Sequence, residues 1–206
     1  MPETKSKKVA KPKAETPIEP KPKKQKAVNT EYNYALEPLP EKRHPWASEP
    51  EVGELIASII KLHGAVNVLE LGVLTGSTSK YIIDALPENG SFVGVDIEDL
   101  RSESFKAATA NDSRVKFVLG SSLDVTKSMP LKHFDLIYID TVHEWAFALS
   151  EFKIVERLIN PKGVLVYHDT IKFEGMARLV KYAQSFKYNA VTFNTPESNG
   201  LTLIQR

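Results

Sequence analysis

Two short stretches carry side chains suited to chemistry: Asp140-Thr141-Val142-His143 and His168-Asp169-Thr170. Carboxylates and imidazoles hold divalent cations or move protons near neutral pH, so four such groups form a candidate reaction centre if the fold brings them together. A second set is the loop Glu70-Leu71-Gly72-Val73-Leu74-Thr75-Gly76-Ser77, followed roughly twenty residues beyond its glycines by Asp96. Gly72 and Gly76 let the backbone turn sharply and approach a ligand, while the helix starting at Ser77 offers unpaired N–H groups. A plain strand-to-helix turn would explain the glycines equally well, but an acid at the position of Asp96 can accept hydrogen bonds from both hydroxyls of a ribose. Dinucleotide sites use the spacing G-x-G-x-x-G. The spacing G-x-x-x-G behind an acidic Glu70 instead disfavours phosphates and suits a nucleoside carrying a cationic or amine group.

These residues must be held by the segments between them. The runs at 68–71, 92–95, 136–139 and 164–167 are apolar on both faces, as strands of a sheet sandwiched by helices require. Strands are expected at 67–71, 91–95, 115–119, 134–139 and 163–167, with helices at 77–86, about 102–111, 145–158 and 175–186. A hairpin of 188–193 and 201–205 closes the chain around the turn Pro196–Gly200. Ahead of the first strand, Val52, Leu55, Ile56, Ile59, Ile60 and Leu62 form the stripe of a helix that stops at Gly64. Alternating strands and helices predict an α/β fold, a doubly wound, mainly parallel sheet with helices on both faces. Ligands of such sheets bind at the carboxyl edge, where Asp140, His143, His168 and Asp169 would converge.

Composition separates this body from what precedes it. Residues 1–28 hold nine Lys against three Glu, or +6 of a net +1, and almost no large apolar side chain; a disordered Lys/Pro-rich basic arm is expected. Residues 29–50, with Tyr32, Tyr34, Leu36, Leu39 and Trp46 among four prolines, read as an irregular strap with Trp46 packed, and residues 51–206 as the domain. The chain has no cysteine, which excludes disulfides, thiolate metal sites and Cys nucleophiles. With no apolar run of membrane-spanning length and no secretory signal at the start, a cytoplasmic protein is expected.

On the acidic-x-Gly-x-x-x-Gly loop at 70–76, the acid Asp96 and the terminal hairpin, residues 50–206 resemble the class I methyltransferases that use S-adenosylmethionine (SAM). The resemblance implies a seven-stranded sheet of order 3-2-1-4-5-7-6. It also implies SAM binding, with Glu70, Gly72 and Ser77 at the methionine portion, Gly76 in the turn, Asp96 and Ile97 at the ribose, and Gly120, Ser121 and Ser122 bordering the adenine. More narrowly, Asp140, His143 and the pair His168-Asp169 are similar to the metal-dependent O-methyltransferases of the catechol and sugar-modifying types. Carried over by position, Asp140, His168 and Asp169 would be metal ligands and His143 the base, so that Asp140 and His143 are the catalytic pair. His168 departs from the usual carboxylate there. Because nitrogen suits magnesium poorly, manganese, iron or zinc enters consideration.

The residues themselves leave two other readings of the cluster: Asp140 and Asp169 capping the helices that follow, with both histidines bonded locally, or a metal-free proton-transfer site. Trp145 and Phe147 are expected in the core or beneath the cofactor. Every connection is short, so the acceptor site needs a cover: the strap, another subunit or a large acceptor. The expected activity is methylation of a hydroxyl on a sugar, glycan or other small molecule. One alternative is methylation of nucleic acid or protein guided by the basic arm, against which stand the acidic body and the lack of an Asn/Asp-Pro-Pro-aromatic motif. The other is a module that no longer catalyses and serves assembly, as a homo-oligomer or through an anionic or protein partner of the arm.

Overall fold

The computed structural model describes residues 43–206; the basic arm and the strap before residue 43 lie outside the described residues. Helix α1 (Pro50–His63) begins with its proline in the first turn and ends at Gly64 in the left-handed conformation, as the sequence predicts. After it come β1 (Asn67–Leu71), α2 (Ser77–Ala85), β2 (Ser91–Asp96), α3 (Glu103–Thr109), β3 (Val115–Leu119), α4 (Ser122–Thr126) and β4 (Phe134–Ile139). Then follow α5 (Trp145–Leu158), β5 (Ile159–His168), α6 (Glu174–Ser185), β6 (Asn189–Phe193) and β7 (Leu201–Gln205). The seven strands lie in the order 3-2-1-4-5-7-6, with β7 antiparallel to both its neighbours and the pairs from β3 to β5 parallel.

Two apolar layers hold the sheet. Val68, Leu136, Tyr138, Val164 and Val166 face α1 and α2, while Leu69, Leu71, Ile137, Ile139, Leu165 and Tyr167 face α5 and α6. The alternation follows from the two-residue period of a strand, and it explains why both sides of each run are apolar. Two elements differ from expectation. The single turn α4 is too short to show helical periodicity. Strand β5 begins before Pro161 and Gly163, across a register irregularity opposite Phe134 and Leu136 that accommodates both residues.

Candidate active site

The carboxyl edge of the sheet opens into a cavity of about 610 Å³. Of the residues singled out in the sequence, Gly72, Ser77, Asp96, Ile97, Ser121, Ser122, Asp140, His143, His168 and Asp169 line it, whereas Glu70, Gly76 and Gly120 do not. Gly72 has φ +89°, and a Cβ there would lie 1.9 Å from the Asp140 carbonyl oxygen, so only glycine lets the first loop pass the end of β4. Gly76 (φ +87°) sits under Phe105, whose ring atoms approach within 2.6 Å of where a Cβ would stand.

Glu70 is fully buried behind the loop, hydrogen-bonded by Ser79, with Oε1 lacking a partner. Burial drives its pKa well above the ordinary value, and repulsion from Asp140 and Asp96 adds to this, against the Ser79 bond. It lies behind the loop and bonds to Ser79 of α2 instead of lining the cavity. Asp96 also has a part the sequence did not indicate: Oδ2 accepts the N–H groups of Val73 and Leu74, both at 2.8 Å, and Oδ1 accepts that of Glu98 at 3.2 Å. These bonds hold Leu74 in a left-handed conformation (φ 49°). A carboxylate has about four acceptor positions, so one stays open toward the cavity.

Beyond β4 and β5 the four expected groups do meet. His143 Nε2 lies 3.2 Å from Asp169 Oδ2 and 3.5 Å from Asp140 Oδ1. Its ring stacks on Phe173 with centroids 4.4 Å apart. Asp169 adopts φ 58°, a conformation uncommon outside glycine, which turns its carboxylate into the cluster. His143 Nε2 and Asp169 Oδ1 are buried and without a hydrogen-bond partner. Neither aspartate caps a helix: the caps of α5 and α6 are Glu144 and Phe173, with no side-chain cap bond. The helix-capping reading is thereby set aside.

His168 differs from the position-based expectation. Its Nε2 is 3.0 Å from Glu49 Oε2 and its Nδ1 is 3.3 Å from Asp140 Oδ2, with Asp169 Oδ1 at 3.6 Å. Burial opposes its charge, but Asp140, Asp169 and Glu49 outweigh burial and raise its pKa to about 9. At neutral pH it is an imidazolium with both nitrogens directed at carboxylates. The atoms able to share one ion, all within 4.8 Å of each other, belong instead to Asp140, His143 and Asp169. Asp140 keeps its charge in this setting: burial would raise its pKa, yet the imidazoles of His143 and His168 and the Ser48 hydroxyl bring it below the carboxylate range. Asp169 moves the other way, raised by burial and by Asp140 despite the nearby cations.

Sequence reading missed the residues that support this centre. Ser48 Oγ donates to Asp140 Oδ2 at 2.8 Å and meets the Tyr138 hydroxyl at 2.8 Å. Glu49, only 2% exposed, takes His168, the Asn199 amide at 3.1 Å and the Glu197 N–H at 3.3 Å. Glu151, 1% exposed, accepts Ser122 Oγ at 2.6 Å and Thr141 Oγ1 at 2.9 Å, joining the β3 and β4 ends of the cavity. In sequence Glu49 is an ordinary acid at the end of the strap, just before the helix at Pro50, and Glu151 looks like one of many helix glutamates. The available signal for Glu151 was its spacing: with Ala148, Phe152 and Val155 it falls on the buried face of α5. Trp46, expected to pack, is 80% exposed at the cavity rim; Phe147 lines the cavity, and Trp145 packs against Tyr182.

Sheet order, glycine loop and carboxyl-edge cavity together define a class I methyltransferase fold. The family model described as a methyltransferase domain matches residues 69–170, and this part of the chain is a methyltransferase domain. It is 26% identical over 187 residues to tricin synthase 2 of Oryza sativa, covering 78% of this chain and 63% of that one. The chain thus spans less than two thirds of that relative's length. The fold is shared with the O-methyltransferase of Bacillus cereus solved with S-adenosylhomocysteine (TM-score 0.68, 18% identity, 79% of this chain and 84% of that one). It is also shared with the O-methyltransferase TomG of Streptomyces achromogenes solved with SAM (TM-score 0.66, 20% identity, 78% and 81%). Among the described residues no helix is long and apolar enough to cross a membrane.

Proposed function

We propose that this chain transfers the methyl group of SAM to a hydroxyl of a small-molecule acceptor. The observation that carries this reading is the placement of Asp140, His143 and Asp169 in the same cavity as the Gly72 loop and Asp96. SAM would lie along Gly72, Ser77, Asp96, Ile97, Ser121 and Ser122. A divalent metal fits the centre, because three donors converge there and two buried donor atoms lack partners. The mixed nitrogen and oxygen set favours manganese, iron or zinc over magnesium. Asp140, His143 and Asp169 would hold the ion, which would supply Lewis acidity that lowers the pKa of the acceptor hydroxyl.

A metal-free reading is favoured by the close His143–Asp169 approach. His143 Nε2 would take the hydroxyl proton, and Asp140 and Asp169 on either side would favour the imidazolium so formed. In either reading the acceptor oxygen forms a bond to the methyl carbon as the carbon–sulfur bond breaks, releasing S-adenosylhomocysteine. His168 orients Asp140 and is not assigned a ligand role. Pro45, Trp46 and Ala47, which line the cavity and precede the hydrogen-bonded Ser48 and Glu49, would cover the acceptor side.

Calorimetry with SAM tests the cofactor site; absence of heat at millimolar SAM leaves the non-catalytic assembly reading. Transfer of labelled methyl to a panel of hydroxylated acceptors tests the reaction. Activity lost on chelation and restored by manganese or zinc supports the metal reading, whereas activity that resists chelation but is lost in His143→Ala supports the metal-free one.

A further inference from the structure

We infer that Lys172 selects acceptors bearing a single carboxylate, an inference that rests on the methyl-transfer reading above. Lys172 is the one Lys or Arg among the cavity-lining residues described. It lies in the loop between β5 and α6, three residues after Asp169 and one before Phe173. Its ammonium sits 5.5 Å from the centre of the Phe173 ring, and that ring stacks on His143. The cation therefore neighbours the aromatic ring that borders the reacting centre. Trp46, exposed at the rim, and Phe173 supply flat apolar surface in the same cavity.

The surroundings restrict what Lys172 can recognise. The rest of the wall carries Asp96, Asp140, Asp169 and Glu197 and one further cation, the His168 imidazolium, whose two nitrogens are already directed at Glu49 and Asp140, as the Glu197 carboxylate is taken by Arg43. Among the described residues no carboxylate lies within ion-pair distance of Lys172, although Asp169 feels its charge at longer range, so its ammonium has no direct partner and is available to a ligand. An anionic group placed against Asp96, Asp140, Asp169 or Glu197 would face like charge. A lone ammonium matches a monoanion; a phosphate dianion is better met by a guanidinium fork or several unpaired cations, which the described lining does not offer. The acceptor that satisfies these conditions has a hydroxyl at His143 and a carboxylate at Lys172, with an apolar body between them.

The test uses the full chain saturated with S-adenosylhomocysteine and manganese, titrated with a dihydroxybenzoate and its uncharged carboxamide. The benzoate is expected to bind about 5-fold more tightly, the scale of a partly exposed ion pair. Lys172→Met should bring the ratio to about one and Lys172→Arg should keep it. A wild-type ratio of one, or a preference that survives Lys172→Met, overturns the inference. So does a phosphorylated analogue that binds better than the benzoate, since it would place a dianion site there. If S-adenosylhomocysteine itself gives no heat, the cofactor reading falls and this inference with it. If it binds while benzoate and carboxamide bind alike or not at all, only the role of Lys172 falls.

Discussion

Replacing Glu151 with Gln tests whether the floor of the cavity holds a strained charge. Burial raises the Glu151 pKa from the ordinary 4.5 to about 6, against the hydrogen bonds of Ser122 and Thr141. A carboxyl with a raised folded-state pKa binds more protons folded than unfolded between these values. Its stabilising contribution is full below about 4.5 and is lost as pH climbs through about 6. At about 1.4 kcal/mol per pH unit, the ionised form costs about 2 kcal/mol. Gln has nearly the shape of the protonated acid and can still accept from one hydroxyl and donate to the other. The Glu151→Gln variant should therefore match the parent near pH 4.5 and exceed it by about 2 kcal/mol at pH 7, about 4–8 °C in Tm for a domain of this size. Urea unfolding of both proteins at intervals across that pH range reads the difference directly, and only the difference matters because other carboxylates titrate alike in both. A stability gap that does not change between pH 4.5 and 7 would refute the reasoning.

Other substitutions probe the remaining parts of the site. Gly72→Ala forces a Cβ into the Asp140 carbonyl and should cost at least about 3 kcal/mol and abolish SAM binding, measured by denaturant unfolding and calorimetry. A near-normal variant would mean that the loop can move away from β4. Glu49→Ala leaves the buried His168 imidazolium without one of its carboxylates and should lower stability by about 3–5 kcal/mol, with Glu49→Gln intermediate. Equal losses in the two variants would show that charge is not what holds the strap. Asp140→Asn should remove manganese or zinc binding in a direct titration while leaving SAM affinity within about threefold, since Asp140 is placed at the acceptor side. Retained metal affinity would relocate the ion.

The difference between legible and hidden residues has a physical basis. The strands and most helices could be read because burial of both faces writes continuous apolar runs, and because glycines and a C-cap mark where the chain must turn; the strand order followed only from the resemblance to the class I methyltransferases. Asp140, His143, His168 and Asp169 could be placed in one cluster because neighbouring parallel strands end at one edge. The division of labour within that cluster could not be read. Whether a nitrogen is free to bind an ion depends on which groups reach it, and Glu49, more than a hundred residues before His168 in the chain, reaches His168 first.

Local sequence thus determined the architecture and the address of the site, since periodicity and turn chemistry act over a few residues. Tertiary structure alone decided the electrostatics and partners: Glu70 buried beneath its loop with its pKa raised, Asp96 turned to brace Val73 and Leu74, His168 paired on both nitrogens, and His143 left facing Asp140 and Asp169. Those properties arise from burial and from contacts between segments far apart in the chain, and electrostatic energies in a low-dielectric interior depend on such distances rather than on residue type.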